Sequence, residues 1–99
     1  MHARVTMADV QPDRFDTAVT AVTETFQPAA REQPGFRGFL LLKDPVAHHL
    51  IGITLWQSEA DMTASASDSG YYASAIAEFN AMLVAPATTT THEVASFET

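Results

Sequence analysis

Pro34-Gly35-Phe36-Arg37-Gly38-Phe39-Leu40-Leu41-Leu42 and Leu50-Ile51-Gly52-Ile53-Thr54-Leu55-Trp56, separated by a short Asp-Pro turn, decide the fold. Both segments carry apolar side chains at odd and even positions alike, and successive side chains of a strand point to opposite faces. Both faces of such a hairpin need cover. One layer of helices covers one face, so the other face requires something outside the monomer. The connection Lys43-Asp44-Pro45-Val46-Ala47-His48 is polar and carries turn residues.

Upstream, His2 to Asp9 alternates as a first strand, with Ala3, Val5 and Met7 on one face and Arg4 and Thr6 on the other. Pro12 suits the first turn of a helix, where its missing N–H forfeits no intrahelical bond. Phe15, Ala18, Val19, Val22 and Phe26 then fall on one helical stripe. Pro28 weakens the last turn, and Gln33-Pro34-Gly35 turns the chain into the second strand. Downstream of Trp56, Ser58 and Asp61 have capping-box spacing and predict a short helix from about Glu59. Asp68 or Ser69 can cap a second helix, whose stripe is Tyr72, Ala75, Ile76, Phe79 and Leu83 and whose stop is Pro86. The tail from Thr88 to Phe97 is β-branched and alternating, so a fourth strand is expected there. The order β-α-β-β-α-β is the ferredoxin-like arrangement: an α+β fold with a four-stranded antiparallel sheet and both helices on one face.

Composition narrows the function. The 99 residues, 46% of them apolar and 17% charged, suit a single domain over 1–99. Twelve acids against five bases give a net charge of −7. Arg4, Arg14, Arg31, Arg37 and Lys43 are scattered singly, which excludes nucleic acid and anionic membrane as partners. The absence of cysteine excludes thiolate chemistry and Cys-held metals. The N-terminus lacks the apolar core of a secretory signal and no apolar run approaches ~20 residues, so a cytoplasmic location is expected. Nothing resembling a GxGxxG, GxxxxGK or GxSxG string occurs, and no histidine pair has metal-ligand spacing. His48 and His49 are adjacent, so in a strand they point apart; His92 is alone, and no metal is expected.

The Pro34-Gly35-Phe36-x-Gly38 string, the strand ending in Leu55-Trp56 and the capped helix behind it resemble the antibiotic biosynthesis monooxygenase family. The resemblance implies a dimeric α+β barrel, with a homodimer formed through the bare sheet face. It also implies a cavity between sheet and helices for a small aromatic phenol or quinol, oxidised without flavin or metal because the substrate supplies its own electrons. Trp56 and Tyr72 are then the candidate catalytic residues: an indole that stacks on a ring and donates one hydrogen bond, and a phenol entering the same cavity. Phe36, Arg37, Tyr71, Phe79 and Asn80 are the candidate substrate contacts. Each has a plainer role open to it: Trp56 can plug the barrel end, Tyr71 and Tyr72 can pack at a rim, Arg37 can pair at an interface, and Asn80 can sit solvated on its helix. A non-catalytic binding or sensing module is the competing reading. Haem-degrading relatives use an Asn in the first strand and a His near the last helix; Met7 stands about where that Asn would fall, and 67–83 contains no His.

Overall fold

The computed structural model describes residues 1–66 and 71–99, apart from the side chains of Tyr71 and Ser74. Four strands, β1 (His2–Asp9), β2 (Phe36–Asp44), β3 (His49–Trp56) and β4 (Thr88–Glu93), form one antiparallel sheet in the order β2-β3-β1-β4. This is the ferredoxin-like α+β fold expected from the sequence. The helical segments are α1 (Phe15–Ala21), α2 (Gln27–Arg31), α3 (Glu59–Ser65) and α4 (Tyr71–Asn80). Asp68 and Ser69, the expected caps of α4, lie outside the described residues.

The register assigns every sheet residue to a face. One row runs Leu40, Ile53, Val5, Thr90 and the next Phe39, Thr54, Arg4, Thr91. The second row faces the helices. Alternation alone leaves open whether Leu41 or Leu40 takes the bare face, and an irregularity between Phe36 and Gly38 sets the β2 pleat so that Leu41 turns inward, opposite Gly52. Leu40 and Leu42 take the bare face, 54% and 44% exposed, with Met7 at 41% on the same side. A bulge inverts the faces of everything beyond it by one residue, and hydropathy cannot register it in a strand apolar on both sides.

The first helical stripe holds, although its helix is not uniform. A 3-10 turn at Pro12–Arg14 leads into α1, and Val22–Phe26 is a wide π turn in which the Gln27 amide donates to the Val22 carbonyl. Pro28 stands directly after it. Proline has no N–H for the Glu24 carbonyl and its ring crowds that oxygen, so a widened turn relieves the clash. Phe15, Ala18, Val22 and Phe26 are buried against Ala8, Leu50, Phe79 and Leu83 in the main core.

Other boundaries moved. The fourth strand stops at Glu93, short of Phe97, and α4 ends at Asn80, well before Pro86. Ser58 caps the helix as expected: the Asp61 amide donates to Ser58 Oγ at 3.1 Å, while the Asp61 carboxylate accepts from the Ser58 hydroxyl at 3.0 Å rather than from a backbone amide. Gly35 closes the same corner with φ +79°, and a Cβ there would collide with the Asp61 carboxyl. In the hairpin turn Asp44 Oδ1 accepts from the Val46 and Ala47 amides, both at 3.0 Å.

Candidate functional site

The inward-facing rows of the sheet form the floor of a cavity roofed by the helices. Its floor holds Phe39 and Leu41 from β2, Leu50, Gly52 and Thr54 from β3, and Arg4, Thr6 and Ala8 from β1. The roof is Val22 and Phe26 at the π turn, with Tyr72, Ile76 and Phe79 from α4. With its open mouth and the solvent in it counted, the space among these side chains is about 460 Å³. Gly52 keeps the floor low, since a Cβ there would meet only Phe39 Cε1, at 3.8 Å.

The cavity has an apolar end and a polar end. Arg4, Thr6, Thr54 and Tyr72 make the polar end. Arg4 is 3% exposed, and Nη1 of its guanidinium donates to Ser65 Oγ at 3.0 Å and the Met62 carbonyl at 3.3 Å. The same guanidinium lies 4.1 Å from the centre of the Tyr72 ring and 5.5 Å from that of Trp56. Two aromatic faces and fixed acceptors thus hold a cation that water does not solvate. The Tyr72 hydroxyl bonds Thr6 Oγ1 at 3.0 Å and Thr89 Oγ1 at 2.7 Å, tying α4 to β1 and β4.

The expected site residues separate into three groups. Tyr72 and Phe79 line the cavity. Trp56 is 0% exposed and is not among the walls of this cavity: it stands behind Thr54, whose Oγ1 accepts the indole N–H at 2.9 Å, with Phe36 edge-on to it at 5.9 Å. The donor assigned to a ligand is thus committed to Thr54, and Phe36 is its packing partner. Arg37 and Asn80 point elsewhere: Arg37 is exposed and donates to Gln57 Oε1 at 2.6 Å, and Asn80 Oδ1 accepts from the Ala87 amide at 3.0 Å, bracing the chain that follows α4. The Tyr71 side chain lies outside the described residues. Trp56 and Tyr72 nonetheless meet, through Arg4 between them.

Arg4, Thr6 and Thr54 were not singled out from the sequence. The signal was present in the alternation that puts Arg4 and Thr6 on one face of β1, but a polar face is ordinarily the wet one. Met7 points away from the cavity, 41% exposed, and its neighbour Thr6 points into it. The histidines separate too: His48, in the turn at φ 57°, packs edge-on to Phe15, while His49 Nδ1 meets Asp9 Oδ1 at 2.8 Å. Among the described residues no three His, Cys, Asp or Glu side chains are grouped to hold a metal. No described helix is long and apolar enough to cross a membrane.

No protein of curated function matches this sequence. Among solved structures, the monooxygenase from the ActVA-Orf6 gene of Streptomyces coelicolor, in complex with nanaomycin D, superposes with a TM-score of 0.82 at 17% identity, over 99% of this chain and 90% of that one. An antibiotic biosynthesis monooxygenase structure from Deinococcus radiodurans superposes at 0.83 and 15% identity, over 100% and 97%. A protein of unknown function from Nitrosomonas europaea gives 0.82 at 15%, over 99% and 92%. Identities this low establish a shared fold. The sequence profile of the antibiotic biosynthesis monooxygenase family matches residues 1–78, most of the chain, and the chain therefore belongs to that family.

Proposed function

We propose that this protein is a cofactor-independent monooxygenase acting on a small phenol or quinol in the cavity between sheet and helices. The observation that carries the reading is the cluster of Arg4, Thr6, Thr54 and Tyr72 at one end of an otherwise apolar chamber. The apolar end takes the ring. At the polar end, Arg4 stabilises the deprotonated phenol, whose electron density reacts with oxygen, and the hydroxyls fix its orientation. Four electrons for oxygen come from the substrate: one C–O bond forms at a ring carbon, the other oxygen atom leaves as water, and a quinol ends as a hydroxyquinone. Thr54, accepting from the indole, keeps its hydroxyl proton to donate, so Trp56 acts as a positioning residue behind it.

The reading includes assembly. The aliphatic bare face, with Leu40, Leu42 and Met7 exposed, belongs in a homodimer formed sheet to sheet by a single domain spanning 1–99.

Oxygen uptake with anthrones, naphthoquinols and simple hydroquinones tests the chemistry. Wild type turns over at least one of them above the buffer rate. Gly52→Ala, whose Cβ makes only an ordinary 3.8 Å contact with Phe39 Cε1, raises the chamber floor and is expected to lower that turnover at unchanged melting temperature. Ring binding without oxygen uptake removes the oxygenase reading and leaves a binding module.

A further inference from the structure

The packing of the chain gives no reason for a glycine at position 52. Gly52 lies inside β3, paired with Leu41 on one side and Thr6 on the other. A glycine within a strand costs stability relative to a residue with a side chain, and it often marks a place where a ligand or another backbone comes close. Its φ is not positive, and a Cβ built there would meet, among the described residues, only Phe39 Cε1 at an ordinary 3.8 Å. Gly35 is the contrast, since φ +79° and the Asp61 carboxyl both exclude a side chain there. Position 52 thus has clearance for a methyl group on the chamber side and carries none. The roof departs from regular structure as well. The wide turn Val22–Phe26 gives its first and last residues to the chamber. Ala18, Val22, Phe26 and Ala30 follow at intervals of four, and all are buried. Steps of four drift about 40° each around a regular α-helix, so that line would wind away from the core; the extra residue of the wide turn brings it back. Such turns are rare and recur at functional sites.

We propose that Gly52 is the specificity-determining residue of the chamber: a flat ring lies face-on against its backbone, beneath Val22 and Phe26 of the wide turn. This rests on the chamber being the ligand site and deepens that reading by fixing how the ring lies and which rings are admitted. The peptide groups on either side of Gly52 are planar, and with no Cβ between them the face of a ring can approach to van der Waals contact. Dispersion is lost steeply across a gap, so this contact favours a ring that is planar over its whole extent. A saturated ring carries hydrogens that stand out of its plane and is thicker. The edge of the Phe39 ring bounds the clearance on the β2 side and offers an edge contact to the same ligand. Floor and roof act together: a methyl group added at position 52 is offset by methyl groups removed at position 22.

The test compares a flat ligand with a puckered one. Dissociation constants of 1-naphthol and its tetrahydro analogue, in which the phenol ring is kept and the second ring is saturated, are measured by titration calorimetry with wild type, Gly52→Ala, Val22→Ala and the double variant. Wild type is expected to hold naphthol more tightly than the analogue. Gly52→Ala weakens naphthol roughly tenfold, the loss that follows when one methyl group overfills a packed site. Val22→Ala narrows the preference for the flat ring, and in the double variant naphthol returns to within a few fold of wild type, so the two changes do not add. If Val22→Ala melts too low to titrate, Phe26→Leu takes its place in the cycle. The inference is overturned if Gly52→Ala binds naphthol as tightly as wild type, if the floor and roof changes simply add, or if wild type does not distinguish the two ligands. A Gly52→Ala protein that fails to fold also overturns it, since the clearance would then serve packing, and so does a wild type that binds neither ligand at millimolar concentration. Turnover is not read, so selective binding of the flat ring without oxygen uptake leaves this inference standing while the oxygenase reading falls.

Discussion

The two faces of the sheet distribute their polar residues in an unusual way. The face covered by helices carries Arg4, Thr6 and Thr54 among Ala8, Phe39, Leu41 and Leu50, whereas the face left open carries Val5, Met7, Leu40, Leu42, Ile51 and Ile53. Apolar side chains normally seek the covered side. Within the monomer the aliphatic face has no helices over it, and the polar groups on the covered face are held in a fixed network. Polar groups taken out of water cost free energy unless they are bonded. Here Arg4, Thr54 and Tyr72 are tied to Ser65, Trp56 and Thr6, so the covered face tolerates its polarity through a specific geometry.

The comparison breaks most visibly at the open face. In a sheet-to-sheet dimer, Ile53→Asp or Leu40→Asp places an unpaired charge in an apolar interface at a cost of ~3–5 kcal/mol. The expected outcome is dissociation in sedimentation, with a large fall in melting temperature. A monomer would feel Leu40→Asp as a surface change within about 0.5 kcal/mol, so unchanged sedimentation and melting would refute the paired face.

The covered face is sharpened by separating packing from chemistry. Trp56→Ala should cost ~3–5 kcal/mol in chemical denaturation, since it empties a site closed on every side. Trp56→Phe keeps most of the volume and deprives Thr54 of its donor. That loss is expected as about 1 kcal/mol of stability, with turnover changed through Thr54 alone. If Trp56→Phe instead abolishes turnover at full stability, the indole reaches the ligand and the positioning role assigned to it is wrong.

Tyr72→Phe removes the hydroxyl between Thr6 and Thr89 and leaves the ring under Arg4. Stability should fall by ~0.5–1.5 kcal/mol. Turnover or ligand affinity should fall about tenfold, read as KM against kcat, because the phenol orients the polar end of the cavity.

The smallest effect is expected at the hairpin turn, remote from the polar end of the cavity. Amides of Ala47 and Val46 hold the Asp44 carboxyl below its ordinary 3.8. A depressed carboxylate contributes stability that is present above its unfolded value and is lost as pH falls through the folded one. Melting temperature followed downward from pH 5 should therefore drop a little less steeply below pH 4 in Asp44→Asn than in wild type.

How far the sequence carried this reading differs from place to place in the chain. Ser58 and Asp61 announced their helix because a cap is local, formed by groups three residues apart. The stripe from Phe15 to Phe26 was equally legible, yet the π turn inside it was not, since widening a turn by one residue around Pro28 leaves the apolar spacing almost intact. The inward turn of Leu41 depended on an irregularity between Phe36 and Gly38 that alternation cannot register in a strand apolar on both faces. Trp56 was legible as an aromatic of consequence, but its indole partner, Thr54, became evident only in the folded chain.

By itself, the sequence determined the order of strands and helices, the excess of apolar surface on the hairpin and the family to which the chain belongs. These follow from short-range spacing and from composition, which act on the chain before it folds. Tertiary structure alone decided which face of each strand the helices cover, and hence that Arg4 lies between Trp56 and Tyr72. Those residues are 52 and 68 positions from Arg4 along the chain. Only strand pairing and helix docking bring them together, because the register of a sheet is settled by long-range contacts that no local pattern encodes.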